Sequence, residues 1–208
     1  MLGPHLLVQP VTAIELTSTR VYLPADQPDQ PATWYDLHTG TKFTSMPGAR
    51  VATVDVHADH VPAFVRGGAV LPKRMRLRRS SQGTHTDPFT LIVAPDGRGA
   101  AAGQLFVDGY DGYDGQSLTA QFSFEQGRQL RGVVGELGSP GHLPPAASSV
   151  IERIIIFGQT APRKVEVRTS THNVLIEGVE ATFDAAAGTI TVRQPKVALG
   201  TAWTIDLL

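Results

Sequence analysis

The sequence predicts an all-β protein of the sandwich type, and two observations lead to that prediction. The 21 glycines and 15 prolines are spread along all 208 residues, and the longest stretch free of both, residues 163–177, has a Thr-Ser-Thr-His-Asn centre that is a poor helix interior. Between them lie short segments of alternating polarity, rich in β-branched and aromatic residues. Because the connections are too short for crossover helices, the strands should be antiparallel.

Eleven segments have this strand character. They are residues 20–23, 34–37, 50–57, 63–66, 89–94, 104–107, 118–124, 150–157, 164–168, 188–193 and 202–207. The continuous apolar run at residues 154–157 is typical of a strand covered on both faces, so it should be central in its sheet.

Two stretches have the composition of connections. Residues 132–145 are rich in glycine and proline, which predicts a long loop. Residues 80–84 form a softer break, since the segments before it are short and punctuated by proline and those after it are longer. The sequence therefore predicts two β domains that meet at this break.

Composition and charge exclude several classes of protein. Lys plus Arg number 18 and Asp plus Glu 19, so a net charge of -1 gives no overall attraction to nucleic acid or anionic membranes. The chain has no cysteine, which excludes disulfide scaffolds, thiolate zinc sites and cysteine nucleophiles. No apolar run approaches the roughly 18 residues of a membrane span. We therefore expect a soluble chain without nucleic-acid or membrane partners.

One charge cluster is prominent, because residues 73–79 carry five cations in seven positions. On a strand, Arg74, Arg76 and Arg78 would share one face, and the two apolar residues between them would share the other. Nucleic-acid sites interleave aromatic residues with such cations, and this stretch has none. We therefore favour a strand at the domain junction, with its apolar face in a core and its arginines against carboxylates or water.

Two acidic clusters raise the question of a metal site. Asp55, His57 and Asp59 would share one strand face and could form a carboxylate and imidazole corner, but the polar outer face of a half-buried strand explains the same pattern and is favoured. Residues 108–115 repeat Asp-Gly-Tyr without the spacing of an EF-hand loop, so we predict a turn, with a carbohydrate-facing rim as the alternative. We assign no metal or cofactor site.

The sequence shows no catalytic arrangement. A Gly-x-Ser-x-Gly nucleophile elbow does not occur, and Ser139 lies in the predicted loop. Two facing carboxylates would suit glycoside hydrolysis, but the sequence does not indicate which pair could face across a cleft. We therefore assign no catalytic residue.

Four strings, in order, resemble the C-terminal part of glycoside hydrolase family 31: residues 3–11, 21–24, 34–40 and 61–72. Shorter strings continue the likeness to the end of the chain, at residues 74–81, 87–94, 103–108, 122–124, 151–154 and 203–205. The turn after residues 105–107 departs from the family pattern of two adjacent aspartates before glycine, as if two residues were inserted after Asp108. The resemblance thus covers the whole chain, but only the tail of the enzyme.

The resemblance implies boundaries and an activity for the parent protein. Residues 1–13 would be a remnant of the last strand of a (β/α)8 barrel, residues 14–82 a proximal β domain and residues 83–208 a distal β-sandwich domain. In this family two aspartates of the barrel carry out retaining hydrolysis through a glycosyl-enzyme intermediate. Because the barrel motifs are absent from this sequence, the chain alone should be inactive.

The resemblance also implies a setting and partners. The branch of the family that these strings resemble is an α-glucosidase that removes α-1,3-linked glucose from N-glycans in the endoplasmic-reticulum lumen. It works with a β subunit, so the expected partners are the barrel of the same protein and that subunit.

Two alternatives stay open: a stand-alone carbohydrate-binding module, and a basic interaction module that uses residues 73–79. A carbohydrate-binding module needs exposed aromatic platforms, whereas Trp34 and Trp203 lie in strand-like contexts that favour core packing. Because Trp34 and Tyr35 are successive strand residues, they should point to opposite faces. We expect Trp34 to face the proximal core and Tyr35 to face outward or onto the barrel.

Overall fold

The structure is a computed structural model that describes residues 1–25, 27–108, 117–137, 149–169, 174–176 and 178–208. Within these residues it contains one 3-10 turn (Gln82–Thr84) and no helix long and apolar enough to cross a membrane. The strands are β1 (Leu6–Val8), β2 (Ser18–Tyr22), β3 (Ala32–Asp36), β4 (Lys42–Ser45), β5 (Val51–Asp55), β6 (Ala63–Arg66), β7 (Ala69–Lys73), β8 (Phe89–Ala94), β9 (Ala101–Asp108), β10 (Ser117–Glu125), β11 (Gln129–Leu137), β12 (Val150–Ile156), β13 (Val165–Thr169), β14 (Val174–Ile176), β15 (Glu180–Asp184), β16 (Thr189–Ala198) and β17 (Trp203–Leu207). The all-β prediction is confirmed, and each predicted segment overlaps a strand.

The first part of the chain forms two small sheets that pack on each other. One is four-stranded, in the order β1-β6-β3-β4, and the other is the antiparallel pair β2-β5. Trp34 and Phe64 of the larger sheet pack with Val21 and Val54 of the pair in a shared core, which we call the N-terminal core. The alternation of strand residues places these side chains on the inner faces.

The remaining strands form one sheet of eleven, in the order β14-β13-β17-β11-β10-β9-β7-β8-β12-β16-β15. At its middle, β7 and β9 are joined through the single residue pair Ala69 and Ala102. The halves on either side of this link face each other, since Leu91 of β8, Phe122 of β10 and Ile154 of β12 share one apolar core. The result is a β-sandwich, as predicted.

Strand β12 carries the continuous apolar run and lies between β8 and β16, inside the sheet. Ile154 and Ile156 belong to the sandwich core, while Ile155 packs against a separate cluster on the opposite face. The prediction that this strand is covered on both faces is therefore confirmed. Its pairing with β8 is parallel, an exception to the antiparallel prediction, because β9, β10 and β11 together supply the long crossover that a parallel pair needs.

The loop predicted for residues 132–145 is wrong over its first six residues, because β11 continues to Leu137. Gly132 pairs with Trp203 of β17, and a Cβ atom at Gly132 would overlap the Trp203 indole. This glycine therefore makes room for an aromatic ring inside a strand and does not mark a turn. Ser139 lies outside the described residues.

The eleven predicted segments do not include β1, β4, β7, β11, β14 or β15. The family resemblance alone indicates β1, and most of β11 falls in the predicted loop. Strands β4, β14 and β15 are sheet edges with few buried side chains, so they lack a clear apolar alternation. Strand β7 contains Pro72, which cannot donate a backbone hydrogen bond and therefore argues against a strand inside a sheet.

Candidate functional site

The four-stranded sheet and the eleven-stranded sheet meet in a buried apolar layer, which we call the seam. It consists of Tyr35, Val65, Ala69, Ile92, Ala94 and Phe157. Strands β3 and β6 each supply one residue to the N-terminal core and the next residue to the seam, because successive strand residues point to opposite faces. The seam fixes the position of the small sheets on the sandwich.

Tyr35 holds the seam by ring stacking and by a hydrogen bond. Its ring stacks on Phe157 with centroids 5.5 Å apart, and its hydroxyl donates to the Pro95 carbonyl over 2.9 Å. Gly158 leaves space for the ring, since a Cβ atom there would lie 2.6 Å from the Tyr35 hydroxyl oxygen. The prediction that Trp34 faces the N-terminal core is confirmed. The expectation for Tyr35 is wrong, because it is buried against the sandwich.

We expect Tyr35 to make folding sensitive to alkali. Burial, with a smaller contribution from the negative charge of Asp96, raises the pKa of Tyr35 from 10.0 to about 12. Since the unfolded chain loses this proton first, the stability from neutral Tyr35 is complete below pH 10.0 and is lost as the pH rises to about 12. Urea unfolding should show this fall in wild type and in Tyr22→Phe, an exposed control, but not in Tyr35→Phe. An equal fall in all three proteins would contradict the assignment.

Residues 74–78 continue from β7 as a segment held by alternate arginines, which we call the arginine segment. Arg76 forms an ion pair with Glu152 at 2.9 Å. The Nε and Nη2 atoms of Arg78 both donate to the Asp87 carboxylate, at 3.0 and 2.6 Å. This forked geometry gives strong, directional hydrogen bonds. The predicted contact between these arginines and carboxylates is therefore present.

The predicted strand at residues 73–79 ends early, because β7 stops at Lys73. Met75 is 49% exposed and Leu77 is 99% exposed, so the expectation that this apolar face enters a core is wrong. It is the arginine side that lies on the sandwich, as shown by the Arg74 guanidinium 4.5 Å from the centre of the Phe89 ring. A long arginine stem can cover apolar surface while its head reaches a ring or a carboxylate.

We expect the Arg78 and Asp87 pair to contribute stability that disappears in acid. Hydrogen bonds from Arg78 lower the pKa of the Asp87 carboxyl from its ordinary value of 3.8, burial opposes the shift, and the charges of Arg78, Arg76 and Arg74 reinforce it. Because the folded pKa is depressed, this contribution is complete above the unfolded pKa and is lost as the pH falls through the folded pKa.

Urea midpoints should therefore differ between wild type and Asp87→Asn near neutral pH, and the difference should shrink once the pH falls below about 4. The exposed neighbour Arg79 supplies a matched control, since Arg79→Gln should have the same urea midpoint as wild type at every pH. A difference that stays constant with pH would show that the carboxylate charge is not what matters.

The residues that raised the metal question lie at the end of β5 and in its connection to β6. Asp55 is the exposed last residue of β5. The rings of His57 and His60 stack with centroids 4.9 Å apart, and the ring centroids of His38 and His60 are 4.3 Å apart. Hydrogen bonds from its own backbone and from His60 lower the pKa of the Asp59 carboxyl. In the described part of the chain, no group of three His, Asp or Glu side chains is arranged to hold a metal ion.

The predicted turn at residues 108–115 lies almost wholly outside the described residues. Asp108 itself is the last residue of β9 and is paired with Ser117 of β10.

The carboxyl groups with shifted pKa values bear on whether one of them could act as a general acid. Over the described residues, every carboxyl with a shifted pKa is shifted downward, namely Asp59, Asp87 and Glu166. Glu166 accepts hydrogen bonds from Lys164 and Arg168, each at 2.6 Å. A general acid for glycoside hydrolysis needs a raised pKa. Of the three, Asp87 holds a separate segment through Arg78, whereas Asp59 and Glu166 contact residues one or two positions away in the chain.

Sequence analysis does not identify the partners of Arg76 and Tyr35. Glu152 lies 76 residues from Arg76, and no local pattern marks it as an ion-pair partner. Phe157 is predicted as a strand residue, but its contact with Tyr35 depends on how the two sheets pack.

Sequence comparison finds similarity between this chain and glycoside hydrolases. Residues 1–71 match the family described as Glycosyl hydrolase family 31 C-terminal domain. The whole chain is 33% identical over 213 residues to the probable glucan 1,3-alpha-glucosidase of Oryza sativa subsp. japonica. It is 34% identical over 211 residues to neutral alpha-glucosidase AB of Sus scrofa. These alignments include all of this chain but only 22% and 21% of the two relatives.

Comparison with solved structures also finds similarity to alpha-glucosidases. The alpha3-Glc2-bound glucosidase II alpha subunit matches with a TM-score of 0.80 and 27% identity, over 98% of this chain and 22% of that chain. A heterodimeric complex of the catalytic subunit of ER glucosidase II with the binding domain of its regulatory subunit matches with a TM-score of 0.77 and 26% identity, over 98% of this chain and 22% of that chain.

The double β architecture and the match over residues 1–71 define the class that the chain is similar to, since these residues match the C-terminal domain of glycosyl hydrolase family 31. More particularly, its whole length is similar to one part of alpha-glucosidases of the neutral alpha-glucosidase AB and glucosidase II kind. The chain spans about a fifth of the length of the curated relatives it matches.

Proposed function

We propose that the chain is the non-catalytic C-terminal β part of an alpha-glucosidase and that it braces the catalytic barrel of the same protein. The observation that carries this proposal is the coverage, since the whole chain aligns with only 22% and 21% of its two relatives. The forked contact between Arg78 and Asp87 supports a structural role, since it holds two separate segments of the chain together.

We propose the domain division of the family for this chain: residues 1–13 from the last barrel strand, residues 14–82 as the proximal domain and residues 83–208 as the distal domain. In this division β7 closes the proximal domain and also pairs with β8 of the distal sheet. Together with the seam, this shared strand would make the two domains one rigid support.

We propose that the parent protein removes α-1,3-linked glucose from N-glycans in the endoplasmic-reticulum lumen. Support comes from the rice relative, which is named a glucan 1,3-alpha-glucosidase, and from the alpha3-Glc2 bound to the similar alpha subunit. The partners would be the catalytic barrel and the glucosidase II beta subunit, because a similar catalytic subunit is found with a regulatory subunit.

A complementation experiment tests the bracing role. The pig relative, shortened by the 211 residues that match this chain, is expressed alone and together with the chain. Active enzyme should be recovered only in the second case. The Trp34→Ala chain should restore less activity, because it disrupts the N-terminal core, and the exposed variant Tyr22→Ala should restore as much as wild type. Equal activity with and without the chain would contradict the proposal.

The folded chain by itself should hydrolyse no p-nitrophenyl α-glucoside. The family's two catalytic aspartates belong to the barrel, so we expect the chain to lack them. The intact pig relative serves as the positive control. Turnover that remains with the chain through its final purification step would show that the chain carries its own catalytic site.

A further inference from the structure

A cleft of about 630 Å³ lies between the segment before β1 and the outer face of β9 and β10. Pro4 and His5 line it from the segment before β1, and Gln104 and Gln121 line it from β9 and β10. The cleft opens where β7 and β9 diverge, because these strands are paired only at Ala69 and Ala102. A volume of this size accommodates a small ligand.

The side chains that line this cleft are chemically unusual for the surface of this protein. His5, Gln104, Gln121 and Ser123 are its polar groups, and the described lining residues include no Asp, Glu, Lys or Arg. Amide, hydroxyl and imidazole groups can both donate and accept hydrogen bonds, as the hydroxyl groups of a polyol do. A phosphate or carboxylate ligand would instead be expected to meet a cation.

His5 supplies a second observation that points to a ligand. Its Nδ1 atom is buried and has no hydrogen-bond partner among the described residues. An unpaired buried nitrogen costs free energy unless a ligand or water satisfies it. Apolar residues complete the lining, among them Pro72 and Val133.

An exposed aromatic ring continues the same face beyond the cleft. Phe106 is 65% exposed and lies two residues after Gln104, so both side chains are on the outer face of β9. Its cross-strand neighbour is Thr119, just as Gln104 is opposite Gln121. An aromatic face beside amide and hydroxyl groups can stack on the C–H face of a sugar ring.

We propose that this cleft binds an uncharged saccharide of one or two rings, with one ring held by Gln104, Gln121, Ser123 and His5 and a second ring lying over Phe106. The proposal does not depend on the α-glucosidase activity, and it would stand if the complementation experiment failed.

The test is a nuclear magnetic resonance titration of the isotope-labelled chain with glucose, maltose and glucose 6-phosphate. Glucose and maltose should produce saturable shifts at the amides of β9 and β10, and the phosphate ester should produce none. The double variant Gln104→Ala, Gln121→Ala should bind glucose about tenfold more weakly, since it loses two hydrogen bonds. The matched double variant Gln27→Ala, Gln82→Ala removes two exposed amides elsewhere and should bind as wild type does.

The second ring is tested separately. Phe106→Ala should weaken maltose binding while leaving glucose binding unchanged, and the exposed control Tyr22→Ala should change neither. Dispersed amide signals verify that each variant is folded. Absence of saturable shifts, equal binding of the phosphate ester, or cleft variants that bind as tightly as their controls would each overturn the proposal.

Discussion

Replacing Trp34 by Ala should lower the free energy of unfolding by about 3–5 kcal/mol. Trp34 is fully buried between the four-stranded sheet and the β2-β5 pair, beside Phe64. Its indole nitrogen also donates to the Pro24 carbonyl over 3.0 Å, so truncation leaves both a cavity and an unpaired acceptor. Urea unfolding followed by circular dichroism measures the change.

The exposed aromatic residue on β2 provides the control for this variant. Tyr22→Ala should change the free energy of unfolding by less than about 0.5 kcal/mol, as is usual for a surface position. A loss of under about 1 kcal/mol in Trp34→Ala would mean that the tryptophan is not a core residue of the folded protein.

Replacing Gly132 by Ala should also destabilise the protein, by about 1–3 kcal/mol or more. Strand propensity alone gives no reason for such a loss, because glycine weakens a strand interior. The loss is expected because the added Cβ atom would overlap the Trp203 indole on the neighbouring strand. Gly97→Ala is the matched control, since a Cβ atom there would have no neighbour within 4 Å.

A double variant separates this clash from a backbone effect. Trp203→Leu makes space above residue 132, so adding Gly132→Ala in that background should cost less than it does in wild type. Equal costs in the two backgrounds would show that the glycine is needed for another reason, because independent sites have additive effects.

Local composition determined the class of fold and the approximate position of its strands. Alternating β-branched segments between glycines and prolines exclude long helices whatever the tertiary contacts are. The apolar run of β12 likewise predicts a strand covered on both faces, and its side chains do enter two different clusters. The edge strands β4, β14 and β15 could not be found in this way, because an edge strand buries few side chains.

Only the tertiary structure decided which faces are buried at the seam and in the arginine segment. Alternation shows that Trp34 and Tyr35 point in opposite directions, but only the packing of the sandwich against β3 makes both faces buried. In the same way, alternation separates the arginines from Met75 and Leu77 without saying which side faces the protein.

The physical reason lies in the partners of the arginines, which local sequence patterns do not reveal. Asp87 is 3% exposed and accepts a forked contact from Arg78, and Glu152, 76 residues from Arg76, accepts a second contact. These charge-assisted hydrogen bonds hold the arginine side on the sandwich and leave Leu77 outside, against the ordinary preference of apolar groups for burial. Sequence determines which side chains share a face, whereas the long-range partners in the folded protein determine which face is buried.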